Sequence, residues 1–339
     1  MNNTSVVLIL VFYLSLVLNL FIWHISKSKG IFLDKGRENK PQKFHKKDTP
    51  RAGGIGVALS FFVGTLLACN GIGLKLFISS LPVLFGGIFE DLKGGVKPSV
   101  RLFLAFLSAV LAILLTGFRV ENLGFVGLPY MVSILFTIFA VAGVTNSINI
   151  IDGLNGLASG FSIIALIIFN ITLYFLHNYE LLKVGVMLAV ATFGFFVLNF
   201  PKGLIFLGDG GAYFLGFMLA ELSVAIVFKY SSISPWFCLA VMIYPVWEVC
   251  FSFYRRKILK GAPAMSPDKM HFHSILTRKL TKTNYLSSLV ILVSLLPFEV
   301  LALLFRSRTS LSMLVIFFFI SIYLFVYSTL IWTRIKPRR

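Results

Sequence analysis

The chain has 339 residues, of which 58% are apolar and 13% are charged, and its formal net charge is +18. A soluble domain carries about 25% charged residues, so this composition excludes a soluble globular protein and predicts a polytopic membrane protein. The basic charge would also suit a nucleic-acid binder, but it falls in loops between apolar segments, which argues against nucleic acid as a partner. The three cysteines lie in apolar segments without metal or disulfide spacing and are predicted to be packing residues.

Eleven apolar segments are candidates for crossing the hydrocarbon core, which takes about 20 residues. They lie near residues 5–25, 54–70, 74–90, 99–117, 129–145, 157–176, 181–199, 211–230, 235–254, 285–305 and 310–331. The first segment lacks a basic leader and a small-residue cleavage site and is predicted to be retained as a helix. Short connections and the lack of an obvious repeat predict a single domain over residues 1–339, an all-α integral membrane protein.

Lysine and arginine residues predict the orientation of these spans, because they concentrate in cytoplasmic loops. With the N-terminus outside, 25 of the 31 lie on the inner side and six on the outer side. The C-terminus is then cytoplasmic. The four polar segments described next all fall on the same cytoplasmic face, which is where we expect the active site.

The first polar loop, residues 43–56, combines basic side chains with turn-forming ones. Its lysines alone would serve as a positive-inside anchor. The Thr-Pro pair at 49–50 and the Gly-Gly pair at 53–54 add turn chemistry that an anchor does not need. A basic, glycine-bearing loop beside acidic segments favours a phosphate-rich substrate, with His45 and Lys46 as candidate contacts.

An acidic pair, Glu90 and Asp91, ends the third span. A solvated helix end is the ordinary explanation for such a pair. The helix dipole, however, prefers cations at a C-terminus, and Lys93 and Lys97 offset the two carboxylates only in part. The pair therefore favours a cation or a substrate nearby, as acids in membrane segments usually mark function.

The stretch after the fifth span is rich in amides and glycine. Asn146, Asn149 and Gly153 share one helical face, and Asp152 follows three residues after Asn149. A polar turn between two spans is the alternative, and the glycines suit it. Two amides at helical spacing exceed what a turn needs, so a functional role is favoured.

Asp209 precedes two glycines, at 210–211, and then an apolar span. It could cap the following helix. Alternatively, the glycines could let the backbone approach a phosphate or a metal. These two interpretations are compatible, and both place Asp209 at a helix start.

Two histidines, His271 and His273, flank Phe272 in a basic loop. A zinc site takes three or more protein ligands, and no partner Cys or His lies nearby in the sequence. Contact with a phosphate or nucleotide is therefore favoured, with Arg255 and Arg256 as neighbouring cations.

Taken in order, these motifs resemble the polyprenyl-phosphate N-acetylhexosamine-1-phosphate transferases of glycosyltransferase family 4. The resemblance runs over about residues 43–276, from the His-Lys…Thr-Pro-Arg-Ala-Gly-Gly loop to His-Xaa-His. Three positions depart from the usual family pattern: Glu90 replaces Asp, Asn155 replaces the second Asp of the third motif, and Ser274 replaces a third His. These departures argue against the phospho-MurNAc-pentapeptide translocase and favour the GlcNAc-1-phosphate transferases that start surface polysaccharides.

The resemblance implies transfer of a HexNAc 1-phosphate from a UDP-sugar to a polyprenyl (undecaprenyl) phosphate in the bacterial inner membrane, with UMP leaving. The product would start O-antigen or a similar lipid-linked glycan. GlcNAc, QuiNAc, FucNAc and GalNAc donors remain open, and a homodimer is one option for the assembly. The lipid chain would lie in a groove between spans, lined by the fifth or the ninth.

The resemblance also implies roles for individual residues. Mg²⁺, with Mn²⁺ as an alternative, would lie near Asp152 and Asp209, while Asp91 and Glu90 would act as the base or orient the lipid phosphate. Asn149 would bind sugar or uracil, and the histidines and arginines would contact the nucleotide phosphates. The expected substrate-binding set is His45, Lys46, Asn146, Asn149, Arg255, Arg256, His271 and His273.

Two other classes of protein remain as alternatives. An ion- or proton-coupled transporter would place acids near the bilayer midplane and show repeated halves, whereas the acidic motifs here cluster at one interface. In a membrane scaffold, the acids would only cap helices.

Overall fold

The computed structural model describes residues 3–34, 48–69, 71–259 and 270–332 and is almost entirely α-helical. The α-helices of the described residues are α1 (Asn3–Lys29), α2 (Gly53–Ala68), α3 (Ile72–Lys93), α4 (Pro98–Thr116), α5 (Tyr130–Ile151), α6 (Leu157–Phe175), α7 (Tyr179–Asn199), α8 (Gly208–Lys229), α9 (Pro235–Val241), α10 (Ile243–Tyr254), α11 (Phe272–Leu276), α12 (Asn284–Leu304) and α13 (Thr309–Trp332). Two π-helical turns cover Arg255–Leu259 and Thr277–Thr281, and strand β1 (Leu33–Asp34) pairs antiparallel with β2 (Thr49–Pro50).

The helices confirm the predicted all-α membrane fold. Within the described residues, nine helices are long and apolar enough to cross a membrane. The bent pair of α9 and α10 and the 16-residue α2 account for the other two predicted segments. The eleven predicted segments therefore each correspond to a helix or a bent helix pair, in the same order along the chain.

Two segments differ from the sequence prediction in ways that shape the site. The predicted span at 129–145 continues as helix to Ile151, so Asn146 and Asn149 lie in the last turns of α5, in keeping with their helical spacing, although the predicted span ended before them. The predicted span at 235–254 is broken, with a bend of 79° between α9 and α10. Pro245 explains the break, because its ring displaces the carbonyl four residues earlier, which belongs to Val241, the last residue of α9.

Helix α8 forms the centre of the bundle. In the most apolar 18-residue stretch of α8, 83% of the residues are buried inside the protein. The corresponding share is 17% for α1 and 28% for α13. Helices α2, α3, α5 and α6 all pack against it. A helix that is apolar on every side is a buried one, so the start of α8, with Asp209, is held on the most enclosed element of the fold.

Glycines from three motifs let helices cross the start of α8 with their backbones in contact. A methyl group added to Gly54 of α2 would lie 2.1 Å from the Cα atom of Gly211, and one added to Gly87 of α3 would lie 2.4 Å from the Cα atom of Gly210. The glycines after Asp209 thus serve helix–helix approach.

Gly54→Ala is expected to lower the free energy of unfolding by about 3 kcal/mol, the upper end for overpacking, because neither backbone can yield to the new methyl group. Gly127→Ala is the matched control, since nothing lies within 4 Å of a methyl group at Gly127. Thermal unfolding of the two purified variants in detergent measures the difference. Equal melting temperatures would contradict the close packing described here.

Candidate active site

A cavity of about 690 Å³ opens at one end of the bundle, where α3, α5 and α10 end and α4 and α8 begin. This end is the one predicted to be cytoplasmic. The polar part of its wall is formed by Arg51, Glu90, Arg101, Asn146, Asn149, Asp152, Asp209, Tyr213, Arg256, His271 and His273. The motifs that lie far apart in the sequence are therefore brought to one place.

Asp91 lies behind the cavity wall, with its side chain 2% exposed. Its Oδ1 atom accepts hydrogen bonds from Arg51 Nε at 2.9 Å and from the backbone N–H of Asp209 at 3.0 Å, and its Oδ2 atom accepts one from the N–H of Gly210 at 3.0 Å. Asp91 therefore caps α8, whose first N–H groups have no partner within the helix. The sequence predicted a cation or a substrate beside this carboxylate. In the structure, Arg51 and the positive N-terminal end of α8 take that place.

This position changes the role expected for Asp91. A base must reach the proton that it removes, and Asp91 is not among the residues that line the cavity. Its hydrogen bonds suit a residue that positions Asp209 and Arg51. Of the acidic pair, Glu90 is the member on the cavity wall, where its Oε2 atom accepts a hydrogen bond of 2.7 Å from the N–H of Val96.

Asp209 reaches the cavity from the first turn of α8. The helix begins at Gly208, so Asp209 is not its N-cap residue. Its Oδ1 atom is 3.2 Å from a terminal nitrogen of Arg51, and its Oδ2 atom is 2.7 Å from one of Arg101. Gly208 has a φ of +77°, and a methyl group there would lie 2.6 Å from Asp91 Oδ2, so the turn requires glycine.

Arg51 belongs to the first motif but was not singled out as a contact, and Arg101 was counted only for orientation, so the sequence prediction named neither as a functional candidate. Backbone hydrogen bonds hold Arg51 in place: Phe206 donates to Pro50, and Gly53 donates to Phe206, at 2.8 and 2.9 Å. Arg101 lies one turn into α4. Guanidinium groups bind phosphates in a bidentate manner, which makes both residues candidates for contact with an anionic substrate.

Asn146, Asn149 and Asp152 line the opposite wall, at the end of α5. Asp152 directly follows the last helical residue, Ile151. Burial raises the pKa of Asp152 to about 8, and the carboxylates of Asp209 and Asp91 add to that rise while Arg51 opposes it. A carboxyl group in such surroundings is stabilised in its charged form by a cation.

The donor set of the cavity fits Mg²⁺ bound together with a phosphate. Among the residues that the structure describes, no group of three or more His, Cys, Asp and Glu could hold a metal ion. Mg²⁺ is usually bound by one or two carboxylates, with water and substrate phosphates as its other ligands. Asp152 and Asp209 provide two carboxylates on one cavity, and Asn149 adds an amide oxygen.

His271 and His273 lie on the cavity wall with parallel rings, whose centroids are 5.5 Å apart. Burial, together with the nearby His271 and Arg278, lowers the pKa of His273 to about 3, although Glu248 opposes the shift. His273 is therefore neutral and can offer a phosphate a hydrogen bond but no charge. A methyl group on Gly153 would lie 2.7 Å from His273 Nε2, so this glycine lets the histidine loop close onto the end of α5.

Arg255 and Arg256, which follow α10, have different surroundings in the structure. Arg256 lines the cavity, and its Nε atom donates to the carbonyl of Ser252 at 3.2 Å. Arg255 is buried and donates to the Tyr327 hydroxyl at 2.6 Å. The expected phosphate contact of Arg255 therefore does not fit its position. His45 and Lys46 lie outside the described residues.

Glu221 is an acid that the sequence analysis did not consider. It lies inside α8, is 1% exposed, and neither of its carboxyl oxygens has a hydrogen-bond partner among the described residues. The expectation that acids cluster at one interface holds for the motifs but not for this residue.

Asn155 lies away from the cavity wall. Its side-chain nitrogen donates to the Pro201 carbonyl at 3.1 Å, and its side-chain oxygen is 3.3 Å from the side-chain nitrogen of Asn284. The amide thus ties together the α6 and α12 starts and the loop before α8. A carboxylate would keep only the second of these hydrogen bonds.

We therefore expect Asn155→Asp, which restores the common family residue, to keep activity within about threefold and to cost about 1 kcal/mol of stability, the worth of one hydrogen bond. Initial transfer rates and melting temperatures of the variant and the wild type measure both effects. Loss of activity without loss of stability would mean that the amide takes part in the site.

Comparison with known proteins supports the assignment of these motifs. The model of the family described as "Glycosyl transferase family 4" matches residues 74–227. The chain is 31% identical to an undecaprenyl-phosphate alpha-N-acetylglucosaminyl 1-phosphate transferase of Thermotoga maritima, over 87% of each chain. It is 29% identical to a probable undecaprenyl-phosphate N-acetylglucosaminyl 1-phosphate transferase of Bacillus subtilis, over 94% of this chain and 91% of the relative.

A phospho-N-acetylmuramoyl-pentapeptide-transferase of Streptococcus pneumoniae is 30% identical, but over only 56% of this chain and 63% of the relative. The first two relatives match a larger share of this chain. This agrees with the GlcNAc-1-phosphate transferase branch that the motif departures predicted. The apolar helices and these bacterial relatives also agree with a multi-pass protein of the bacterial plasma membrane. By sequence and by the arrangement of its motifs, the chain belongs to glycosyl transferase family 4.

Proposed function

We propose that this protein transfers a HexNAc 1-phosphate from a UDP-sugar to undecaprenyl or another polyprenyl phosphate and releases UMP. The observation that carries the proposal is a single cavity where carboxylates of Glu90, Asp152 and Asp209 lie beside the guanidinium groups of Arg51 and Arg101. Such a mixture suits two anionic substrates and a divalent cation. The names of the relatives supply the acceptor class and the sugar phosphate.

The net reaction joins an oxygen of the lipid phosphate to the β-phosphorus of the donor and breaks the bond from that phosphorus to the UMP oxygen. A phosphate monoester has a second pKa of about 6, so the acceptor is already largely ionised at neutral pH. The protein needs to orient it more than to deprotonate it. Glu90, held by the Val96 N–H, is the acid placed to do so.

Charge neutralisation is the larger task, because phosphoryl transfer depends mainly on positioning and on electrostatic stabilisation. Arg51 and Arg101 would bind the donor diphosphate from one wall, and Arg256 from another. Asp152 and Asp209 would hold Mg²⁺, which when bound shields the diphosphate and stabilises the charge on departing UMP. Asn146 and Asn149 would contact the sugar or the uracil.

We expect the acceptor chain to enter the cavity from the bilayer. Leu102 of α4, Phe139 of α5 and Phe253 of α10 line an apolar part of the wall, and Phe139 and Phe253 are 71% and 46% exposed. A polyprenyl phosphate could lie with its first isoprene units on these side chains and its head group at Glu90. This agrees with the predicted involvement of the fifth and ninth spans.

The test uses purified protein in phospholipid vesicles with undecaprenyl phosphate and one UDP-sugar at a time. UMP release should require the lipid phosphate and Mg²⁺, and a panel of GlcNAc, QuiNAc, FucNAc and GalNAc donors would identify the sugar of the surface glycan. The unpartnered Glu221 in α8 is the observation that favours the transporter alternative. Movement of solute across the vesicles without any UMP release would support it against the transferase.

A further inference from the structure

A buried carboxylate, that of Glu248 in α10, contacts His271 and is not itself among the residues that line the cavity. It accepts three hydrogen bonds: Oε1 from His271 Nδ1 at 2.9 Å and from the N–H of Phe272 at 3.1 Å, and Oε2 from the Tyr323 hydroxyl at 2.7 Å. Glu248 is 0% exposed, so its charge is isolated from water. An isolated buried carboxylate requires partners of this kind.

These contacts fix which nitrogen of His271 carries a proton. An ionised carboxylate only accepts hydrogen bonds, so Nδ1 must hold a hydrogen to share the short contact with Glu248. The hydroxyl of Ser252, 3.1 Å from the same nitrogen, can accept from it as well. Nε2 is then the nitrogen left for the cavity that His271 lines.

We propose that Glu248, steadied by Tyr323, is a positioning residue that keeps the His271 proton on Nδ1 and presents Nε2 to the diphosphate of the nucleotide-sugar. This inference rests on the proposed function. An Nε2–H on this side of the ring would be directed at a phosphate oxygen, while Glu248 accepts from Nδ1 behind it. Carboxylate–histidine pairs behind metal-binding histidines act in the same way.

Through the hydrogen bond from Tyr323 to Glu248, the last span, α13, becomes part of the site. Tyr323 comes from α13, and one helical turn later the Tyr327 hydroxyl donates to the carbonyl of Met270 at 3.0 Å, next to His271. Both tyrosines and Glu248 lie beyond residues 74–227, the part that the family model matches. His271 lies outside the matched residues as well, so the structure alone brings these groups together.

The variants Glu248→Gln and Glu248→Leu separate hydrogen bonding from burial. In the Gln variant, the N–H of Phe272 requires an acceptor at the Oε1 position, so the amide oxygen takes that place and still accepts from Nδ1. In the Leu variant no acceptor remains. We expect kcat of Glu248→Leu to fall about 10-fold to 100-fold, as for carboxylates behind other histidines, while Glu248→Gln stays at least tenfold above it and KM changes little.

The matched controls are Glu299→Gln and Glu299→Leu. Glu299 is also a buried glutamate, 3% exposed, and it lies in α12. Both control variants should keep kcat within about twofold. Equal losses in Glu248→Gln and Glu248→Leu, or an unchanged kcat in Glu248→Leu, would overturn the proposal.

Histidine labelled with ¹⁵N gives a readout that does not depend on activity. The chain has five histidines, so a His271→Asn spectrum assigns the His271 signals. Wild-type protein should show a hydrogen on Nδ1, and Glu248→Leu should move it to Nε2. A wild-type His271 protonated only on Nε2 would overturn the proposal. Absence of transfer by the wild type together with the expected tautomer would instead count against the proposed function alone.

Discussion

Asp209→Asn is expected to lower the transfer rate by about 100-fold to 1,000-fold, the range seen when one group that stabilises a charged transition state is removed. Asp209 lies between Arg51 and Arg101 on the cavity wall and is one of two carboxylates placed to hold Mg²⁺. An amide keeps the shape and one oxygen but loses the charge. The protein should still insert and fold, because the cap on α8 comes from Asp91.

The measurement compares initial rates of Asp209→Asn and wild type in vesicles, with the melting temperature of each. Glu121→Gln is the control, since Glu121 pairs with Arg119 on the loop before α5, at the other end of the bundle. It should keep the wild-type rate. Wild-type turnover in Asp209→Asn would remove Asp209 from the site.

Asp91→Ala should show its main effect on stability. It leaves two N–H groups at the start of α8 without their acceptor, at about 1–3 kcal/mol each, whereas Arg51 is 30% exposed and keeps its contact with Asp209. Asp91→Asn can still accept hydrogen bonds from the N–H groups of α8, so we expect a smaller loss of stability and activity within about tenfold of wild type. Thermal unfolding and initial rates separate the two variants.

The contact with Arg51 can be isolated by a double-mutant cycle. If Asp91 acts through Arg51, the losses of stability in Arg51→Met and Asp91→Asn should not add in the double variant. A fully stable Asp91→Asn protein without any activity would contradict this account. It would restore Asp91 as a group that acts directly on the substrate.

Most of the fold could be predicted from the sequence because lipid imposes a simple rule: spans must be apolar and long. Among the described residues, nine of the eleven predicted segments are helices long enough to span, and the other two are a shorter helix and a bent pair. The rule did not extend α5 to Ile151, because the amides after residue 145 interrupt the apolar run, although their spacing suits a helical face. The break at Met242 had a local signal in Pro245, which a hydropathy window averages away.

The site was predictable where its residues stand in compact motifs and not where they depend on partners distant in sequence. Asp152, Asp209 and the two histidines were predicted from such motifs, and all four line the same cavity. The sequence could not tell that Asp91 faces Arg51 and α8, 40 and 118 residues away. Nor could it pair Glu248 with Tyr323, because both stand in apolar spans and look like isolated polar residues.

Transfer from UDP-GlcNAc labelled with ³²P at the β-phosphate tests the central claim most directly. Vesicles with undecaprenyl phosphate, Mg²⁺ and wild-type protein should move the label into the lipid phase while unlabelled UMP appears in solution, and Asp209→Asn vesicles should not. Label that stays in UDP while the sugar enters the lipid, or lipid that stays unlabelled with every donor tested, would contradict sugar 1-phosphate transfer at this cavity.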